Sequence, residues 1–263
     1  MTERRSSSDT RRCALSGQVA MVTGGSQGIG RVISEALAEA GATVVAASRR
    51  AEDFLSPAGQ RIHGRRLDVE NADACHTVVA SVQEEFGSLD VLVNNAGIAE
   101  SVKFLEMDME HWRRHHCIDV EAPLRLVRAA LPMMLERNQG RVISIASIAA
   151  EVGFSYVTAY VAAKHALLGM TRSLAAEFAG TSLTFNCVSP YYTNTPMAAA
   201  AIRKIVAKTG KSVDQASAHL LSPQGRMIEP DEVAAMCVYL ASPSARSITG
   251  QSIAIDGGLS ATR

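Results

Sequence analysis

Two side chains in the middle of the chain have the types and the spacing needed for proton transfer. Tyr160 and Lys164 stand four residues apart, a step that places two side chains on one face of a helix. The pKa of a free tyrosine is about 10, and a positive charge within about 4–6 Å lowers it. A phenol beside an ammonium is therefore a usable general acid and base. Taken alone, this pair could equally be two exposed side chains without a catalytic role.

A serine stands upstream at a place that suits a carbonyl group. Ser147 lies thirteen residues before Tyr160 and directly follows the apolar run from Val142 to Ala146. Such a run predicts a buried strand, so the serine falls at the end of that strand. There its hydroxyl could donate a hydrogen bond to the carbonyl oxygen of a substrate. Ser147 is therefore the third candidate catalytic residue.

A glycine-rich turn near the start of the chain predicts a phosphate site. Gly24, Gly28 and Gly30 follow a short apolar run and precede residues with helical spacing. A strand, a glycine turn and a helix direct backbone N–H groups toward a phosphate, and glycines let a pyrophosphate approach closely. A glycine cluster alone could be a tight turn, but its place in a strand–helix unit favours a dinucleotide.

The end of the second predicted strand distinguishes between two dinucleotides. Folds that bind NAD usually carry an acidic residue there, whereas this chain has Ser48, Arg49 and Arg50. A guanidinium can bind a 2′-phosphate bidentately, so we expect NADP(H). NAD(H) stays possible because Glu52 and Asp53 follow closely. The arginines could also be solvated loop charges.

Strands and helices alternate along the chain, which predicts a single α/β domain with one doubly wound parallel sheet. Its ligand crevice should lie at the carboxyl ends of the strands. Residues at these ends are Ser26, Arg49, Asp68, Asn95, Ser147 and Pro190. We expect a flexible tail over residues 1–16, the domain over residues 17–263, and a substrate lid over about residues 191–223.

Composition narrows the classes of partner. The chain has 263 residues, with 26 basic and 26 acidic ones, which gives no electrostatic case for a nucleic acid or an anionic membrane. No apolar run approaches the ~18 residues of a membrane span.

The five cysteines lack a CxxC pattern and predict free thiols in a reducing compartment, the cytoplasm. His111, His115 and His116 have no convergent metal-ligand pattern, so we expect no metal.

The motifs together resemble one family, the short-chain dehydrogenases/reductases. They are Thr23-Gly24-x-x-x-Gly28-Ile29-Gly30, Asn94-Asn95-Ala96-Gly97, Ser147, Tyr160-x-x-x-Lys164 and Pro190, and they cover about residues 16–258. The resemblance implies a Rossmann-type sheet of about seven strands in the order 3-2-1-4-5-6-7. It also implies hydride transfer between C4 of a nicotinamide and a carbinol or carbonyl carbon. Tyr160 would be the general acid/base, Lys164 would lower the tyrosine's pKa and bond the ribose, and Ser147 would polarise the substrate oxygen.

The resemblance also supplies the remaining expectations for the site. With the residues above, the expected cofactor contacts are Gly24, Ser26, Gln27, Gly28, Ile29, Gly30, Ser48, Arg49, Asp68, Val69, Asn95, Tyr160, Lys164, Pro190 and Thr193. The partners implied are a small-molecule carbonyl or alcohol substrate and further copies of the chain, in a homotetramer or homodimer.

Two positions depart from the family pattern. Asp119 stands where members often have an asparagine, seven residues after Trp112 and thirteen before Pro132. An aspartate lacks the amide donors that help to hold a water in the proton relay, and we keep Asp119 as a candidate catalytic residue in its place. Tyr191 follows Pro190 where glycine is usual, and it should alter the substrate pocket.

The substrate class stays open. Residues 225–230, after the segment 208–211, are similar to members that act on 3-oxoacyl or 3-hydroxyacyl groups. The alternatives are a sugar-acid or other polyol dehydrogenase of the same family, an epimerase or dehydratase on a sugar nucleotide, and a non-catalytic dinucleotide-binding protein. The last predicts a damaged set of serine, tyrosine and lysine, whereas all three are present.

Overall fold

The computed structural model of the chain describes residues 14–50 and 52–262. Most of the predicted tail, residues 1–13, lies outside the described residues. Leu15, which the prediction assigned to the tail, is fully buried and donates its N–H to Ala40 O at 3.0 Å. This part of the predicted tail therefore packs on the body of the domain.

Eight strands of the described part of the chain form one sheet. They are β1 (Val19–Thr23), β2 (Thr43–Ser48), β3 (Phe54–Leu55), β4 (Arg61–Arg66), β5 (Val91–Asn94), β6 (Gly140–Ile145), β7 (Leu183–Pro190) and β8 (Ser252–Ile255). Their order in space is β3-β4-β2-β1-β5-β6-β7-β8. Without β3, the strands are all parallel and follow the expected order 3-2-1-4-5-6-7.

The sheet has one strand more than the expected seven. β3 pairs antiparallel with β4, with Phe54 opposite Ile62 and Leu55 opposite Arg61. The intervening turn closes with a hydrogen bond from Ser56 N to Gln60 O at 2.8 Å. Two residues are too short to show an alternating hydrophobic pattern, which is why the sequence did not predict this edge strand.

Eight α-helices flank the sheet in the described residues. They are α1 (Gly28–Glu39), α2 (Ala72–Phe86), α3 (Met109–His116), α4 (Ala122–Glu136), α5 (Thr158–Glu177), α6 (Pro196–Thr209), α7 (Val213–Ser217) and α8 (Pro230–Ala241). None of these helices has the length and apolar character that crossing a membrane requires.

The two faces of the sheet carry separate cores. Successive residues of a strand point to opposite faces, and in β1 Ala20 packs in one core while Met21 packs in the other. The first core lies under α1 and α8, and the second lies under α2 and α4. Burial on both faces explains why the central strands read as continuous apolar runs.

The long helical stretch predicted over residues 108–137 contains a wide turn. Between α3 and α4, Cys117–Glu121 forms a π-helical turn, in which Ala122 N donates to Cys117 O, five residues back. Such turns occur often at functional sites. This one carries Asp119, which is buried.

The segment predicted as a lid is more regular than expected. It holds α6, α7 and a 3₁₀ turn over Ala218–Leu220. Few of its side chains are buried, among them Ala198, Ala216 and Leu220. Low burial is typical of segments that open easily, and the lid role stays a prediction.

Candidate active site

Tyr160 and Lys164 lie one turn apart on α5. Lys164 Nζ is 5.6 Å from the centre of the Tyr160 ring. Lys164 is 4% exposed, and its Nζ donates to Ile145 O at 3.0 Å. The end of β6 therefore holds the ammonium beside the phenol.

Ser147 lies two residues beyond the end of β6. Its Oγ accepts a hydrogen bond from Ala149 N at 3.1 Å and so caps the 3₁₀ turn Ile148–Ala150. It also donates to Pro190 O, the last residue of the neighbouring strand β7, at 3.5 Å. The carboxyl ends of β6 and β7 thus bring Ser147, Lys164 and Pro190 to one edge of the sheet.

Asp119 reaches the same edge from the π turn. Its Oδ1 lies 3.1 Å from Lys164 Nζ. A Cβ atom on Gly97 would lie only 2.6 Å from that oxygen, so the glycine makes room for the carboxylate. Burial opposes the charge of Lys164, but the electrostatic interactions with Asp119 and with Tyr160 together outweigh it and raise the pKa of the ammonium. The sequence reasoning considered Asp119 only as a water holder and missed this direct ion pair.

The glycine turn packs tightly against Asn95. A Cβ on Gly30 would lie 2.3 Å from Asn95 Nδ2, and one on Gly24 would lie 2.9 Å from it. Asn95 Nδ2 donates to Thr23 O at 2.8 Å, and Thr23 Oγ1 accepts the N–H groups of Asn95 and Ala96 at 3.0 Å each. Asn95 therefore joins the ends of β1 and β5, and its contact with a cofactor stays a prediction.

The start of α1 fits the pyrophosphate of a dinucleotide. Gly28 has a φ of +53°, and a Cβ there would meet only the Thr195 methyl, at 4.0 Å. The N-cap residue, Gln27, makes no capping hydrogen bond, and the first turn holds no acidic residue. Uncapped N–H groups at the positive end of a helix suit an anion. Ile29, the next residue, packs partly on the core.

The predicted ribose-phosphate contacts lie beside this turn. Ser48 Oγ is 2.9 Å from Ser26 Oγ and accepts the N–H of Arg50 at 3.2 Å. Arg49 is exposed and has no ion pair within the described residues. Its guanidinium is therefore free of any carboxylate in that part of the chain.

Asp53, one of the two acids that left NAD(H) open, is engaged elsewhere. Asp53 Oδ1 accepts the N–H of Gly64 at 2.8 Å, and Oδ2 accepts from Arg61 at 2.6 Å. The backbone hydrogen bond and the Arg61 guanidinium hold the pKa of Asp53 below its usual value. Its carboxylate binds β4 and is not free to bind a ribose.

The remaining predicted cofactor residues lie at the ends of β4 and β7. Asp68 is exposed, with its Oδ1 accepting from Glu70 N at 3.1 Å, and Val69 is half-buried. Thr193 is buried and donates to Tyr191 O at 3.1 Å. Thr195, which the sequence reasoning missed, has its methyl nearest to Gly28. Its place before Pro196, as the N-cap of α6, was the available signal.

Aromatic side chains adjoin the crevice beyond β7. Tyr191 donates from its hydroxyl to His219 O at 3.1 Å. Its ring centre lies 4.9 Å from that of Tyr192 and 6.4 Å from that of Phe154. Burial, with Tyr191 and Tyr160 close by, raises the pKa of Tyr192. Tyr191, Tyr192 and Phe154 are called the aromatic wall below.

The histidines of α3 serve packing. His115 is fully buried, its Nδ1 lies 2.9 Å from His111 O, and its Nε2 accepts from Glu100 N at 3.3 Å. His116 packs its ring against Trp112, with centres 4.3 Å apart. Within residues 14–50 and 52–262, no three His, Cys, Asp or Glu side chains are placed to hold a metal ion.

Comparison with known proteins agrees with this geometry. A family model described as enoyl-(acyl carrier protein) reductase matches residues 24–260. The 3-oxoacyl-[acyl-carrier-protein] reductase of Vibrio cholerae is 35% identical over 252 residues, which cover 93% of this chain and 98% of that protein. The D-beta-hydroxybutyrate dehydrogenase of Cupriavidus necator is 34% identical over 253 residues, with the same coverage, 93% and 98%.

Solved structures agree as well. A variant of the actinorhodin polyketide ketoreductase with NADPH matches with a TM-score of 0.86 and 34% identity, covering 92% of this chain and 97% of that one. The ligand-free aldohexose dehydrogenase of Thermoplasma acidophilum matches with a TM-score of 0.85 and 31% identity, covering 95% and 96%. The chain therefore belongs to the short-chain dehydrogenase/reductase family and is an oxidoreductase that acts on alcohol and ketone groups.

Proposed function

We propose that the protein is an NADP(H)-dependent ketoreductase with Tyr160 as its general acid/base. The observation that carries the proposal is that Lys164 Nζ lies 5.6 Å from the centre of the Tyr160 ring and donates to Ile145 O at the carboxyl end of β6, two residues before Ser147. That edge of a doubly wound sheet is where ligands bind. The glycine turn and the uncapped start of α1 stand at the carboxyl end of β1 on the same edge.

Three residues of the chain would have separate roles in the reduction of a carbonyl group. The bound cofactor would supply a hydride to the carbonyl carbon. Ser147 Oγ would donate a hydrogen bond to the carbonyl oxygen and polarise the C=O bond. Tyr160 would transfer its phenolic proton to that oxygen as negative charge develops there. Lys164 would stabilise the phenolate that remains, and the reverse sequence would oxidise the alcohol.

The preference for NADP(H) over NAD(H) is supported by the ribose-phosphate end. Ser26, Ser48 and the exposed Arg49 offer hydroxyls and a guanidinium, which suit a 2′-phosphate. Asp53 is bound to Gly64 and Arg61. The actinorhodin ketoreductase, whose structure holds NADPH, has the same fold. We propose contacts with the cofactor for Thr195 as well as for the residues predicted above.

For the substrate we propose a 3-oxoacyl or 3-hydroxyacyl group. Two similar proteins are named for such groups, the Vibrio reductase and the Cupriavidus dehydrogenase. The aromatic wall supports an acyl chain because its rings follow β7 directly and would offer apolar surface beside the end of that strand. The likeness to an aldohexose dehydrogenase favours a sugar as the second candidate. Assembly into a homotetramer or homodimer, the cytoplasmic location and the lid role of residues 191–223 remain part of the proposal.

The test is a substrate panel with the wild type and Tyr160→Phe. We expect wild-type turnover of 3-oxoacyl thioesters with NADPH, weaker turnover with NADH, and little oxidation of aldohexoses with NADP⁺ or NAD⁺. Tyr160→Phe should lose about 10²–10⁴-fold in kcat while binding NADPH normally. Tyr239→Phe, on the outer part of α8, is the matched control and should behave as wild type. Wild-type kcat in Tyr160→Phe would refute the mechanism.

A further inference from the structure

Asp119 and Lys164 form an ion pair unlike the others in the chain. Within residues 14–50 and 52–262, it is the one pair in which both side chains are buried, 6% and 0% exposed. The charges lie 3.1 Å apart, and neither carboxylate oxygen makes a well-directed hydrogen bond to a described residue. Coulomb attraction to the ammonium is therefore the main interaction that this carboxylate has.

Stability does not explain why a carboxylate is buried at this point. Taking two charges out of water is unfavourable, and their attraction offsets this only when further hydrogen bonds satisfy both groups. Asp119 lacks such bonds, yet two features of the backbone accommodate it. The π turn brings residue 119 toward α5, and Gly97 leaves space for its Oδ1. The buried carboxylate is therefore better explained by a role in the chemistry of the site.

The Asp119 carboxylate affects the electrostatic field that acts on Tyr160. The ammonium of Lys164 stabilises a phenolate at Tyr160, since its Nζ lies 5.6 Å from the ring centre. A carboxylate 3.1 Å from the same ammonium offsets part of that field. Oxidation of an alcohol needs Tyr160 as a phenolate that accepts a proton, whereas reduction of a ketone needs it as a phenol that gives one.

We propose that Asp119 is a positioning residue that partly neutralises Lys164, keeps Tyr160 in its phenol form near neutral pH and so favours carbonyl reduction. This inference rests on the proposed function, in which Tyr160 is the acid/base. It assigns to the Asp119 side chain a role that depends on its charge, whereas an amide at the same position would leave the ammonium uncompensated.

Other titratable groups face this part of α5, but none is a second carboxylate on the ammonium. The two ring nitrogens of His115 contact His111 O and Glu100 N, and not the ammonium of Lys164. Burial raises the pKa of the Cys187 thiol, which lies 3.3 Å from Thr171 Oγ1, so it is neutral at neutral pH. In the π turn, Cys117 is half-buried, and Glu121 is exposed and paired with Arg125. The remaining titratable groups on elements packed against α5 are Glu110, Arg113, Arg114 and His116 on α3, Glu151 after the 3₁₀ turn, and Tyr191 and Tyr192 beyond β7.

The test compares two variants that both remove the charge, Asp119→Asn and Asp119→Ala. Alcohol oxidation and ketone reduction are followed from neutral to alkaline pH. In both variants the pH at which oxidation reaches half its maximal rate should fall by about one unit. Below that pH, oxidation should be about tenfold faster than in the wild type. The alkaline fall in the reduction rate should move by the same amount.

A matched control separates this effect from the loss of any buried carboxylate. Asp90 is 2% exposed and accepts hydrogen bonds from Val19 N and Ser88 Oγ at the opposite edge of the sheet. Asp90→Asn should lower the thermal stability without moving either pH profile. Circular dichroism establishes that each variant is folded.

A second readout does not depend on turnover. The ultraviolet absorbance of tyrosinate is titrated in each protein and in its partner carrying Tyr160→Phe, and the difference reports Tyr160 alone. We expect this titration midpoint to fall in both Asp119 variants. An unchanged midpoint in both, or a change in Asp119→Asn only, would overturn the inference, the latter because it would assign the effect to the amide. Turnover that survives Tyr160→Phe would refute the proposed function instead.

Discussion

The crevice around Lys164 and the crevice around Arg49 both carry positive charge, but in different surroundings. Lys164 is 4% exposed and lies 3.1 Å from a buried carboxylate. Arg49 is exposed and unpaired within the described residues. Buried charges interact strongly because little water screens them, whereas exposed charges are weakened by water and salt. We therefore expect changes near Lys164 to alter catalysis and folding together, and changes near Arg49 to alter only cofactor choice.

The largest effect should come from Lys164→Met. The phenolate loses its cation, so kcat should fall by about 10²–10⁴-fold. Asp119 is left as a buried unpaired charge, so the free energy of unfolding should fall by about 3–5 kcal/mol. Denaturant unfolding and steady-state kinetics measure the two losses. The double variant with Asp119→Asn should regain stability but not turnover, and a stable single variant would contradict the comparison.

The second largest effect should come from Arg49→Ala, at the predicted ribose-phosphate contacts. A hydrogen bond to a charged group contributes about 1.5–3 kcal/mol, so the KM for NADPH should rise at least about tenfold. The KM for NADH and the unfolding curve should stay unchanged. Added salt should shrink the difference between the wild type and the variant. Arg128→Ala, an exposed arginine on α4, is the control, and equal effects on both cofactors would make Arg49 an ordinary surface charge.

The third effect in size should come from Tyr191→Gly, which removes one ring of the aromatic wall. Removal of a half-buried ring should cost about 1–2 kcal/mol of binding to an acyl chain, which is about tenfold in kcat/KM. Tyr191→Phe keeps the ring and loses the bond to His219 O, so it should retain most of the activity. Competition between 3-oxoacyl thioesters and aldohexoses measures the change. A gain in activity toward long acyl chains in Tyr191→Gly would mean that the ring blocks the crevice.

The smallest effect should come from Asp53→Asn. The folded-state pKa of Asp53 is depressed, so its contribution to stability is present above the unfolded pKa of about 4 and is lost as the pH falls through the folded value. The pair with Arg61 is exposed, so the loss at neutral pH should be under about 1 kcal/mol and should vanish in acid. Thermal unfolding across pH measures it. The ratio of activity with NADPH to that with NADH should not change, and a changed ratio would place Asp53 at the ribose.

The sequence predicted the parts of the molecule that follow from short-range pattern. The positions of the strands and the places of Ser147 and Lys164 come from apolar runs and fixed spacings, whereas the strand order came from the family resemblance. The strand at Phe54 was missed because its pairing depends on a turn and on β4, not on a local period. The expected tail was wrong at Leu15, because the apolar run Cys13-Ala14-Leu15 is too short to indicate burial.

The Asp119–Lys164 contact could not be predicted for a different reason. An α-helical continuation from α3 to α4 would aim residue 119 in another direction, and nothing in the composition of residues 117–121 indicates a π turn. Thr195 was missed because Thr193, two residues earlier, carries the same hydroxyl. Only the path of the chain after β7 shows which of the two faces Gly28.

The wide turn between α3 and α4 amounts to one surplus residue inserted into an otherwise regular helix. Deleting a single residue from 117–121 would let the two helices join with the flanking side chains near their present faces, but the carboxylate of Asp119 would lose the turn that brings it to Lys164. The balance between giving and taking a proton at Tyr160 would then depend on the length of a helix some distance along the chain, and not only on which residues line the crevice.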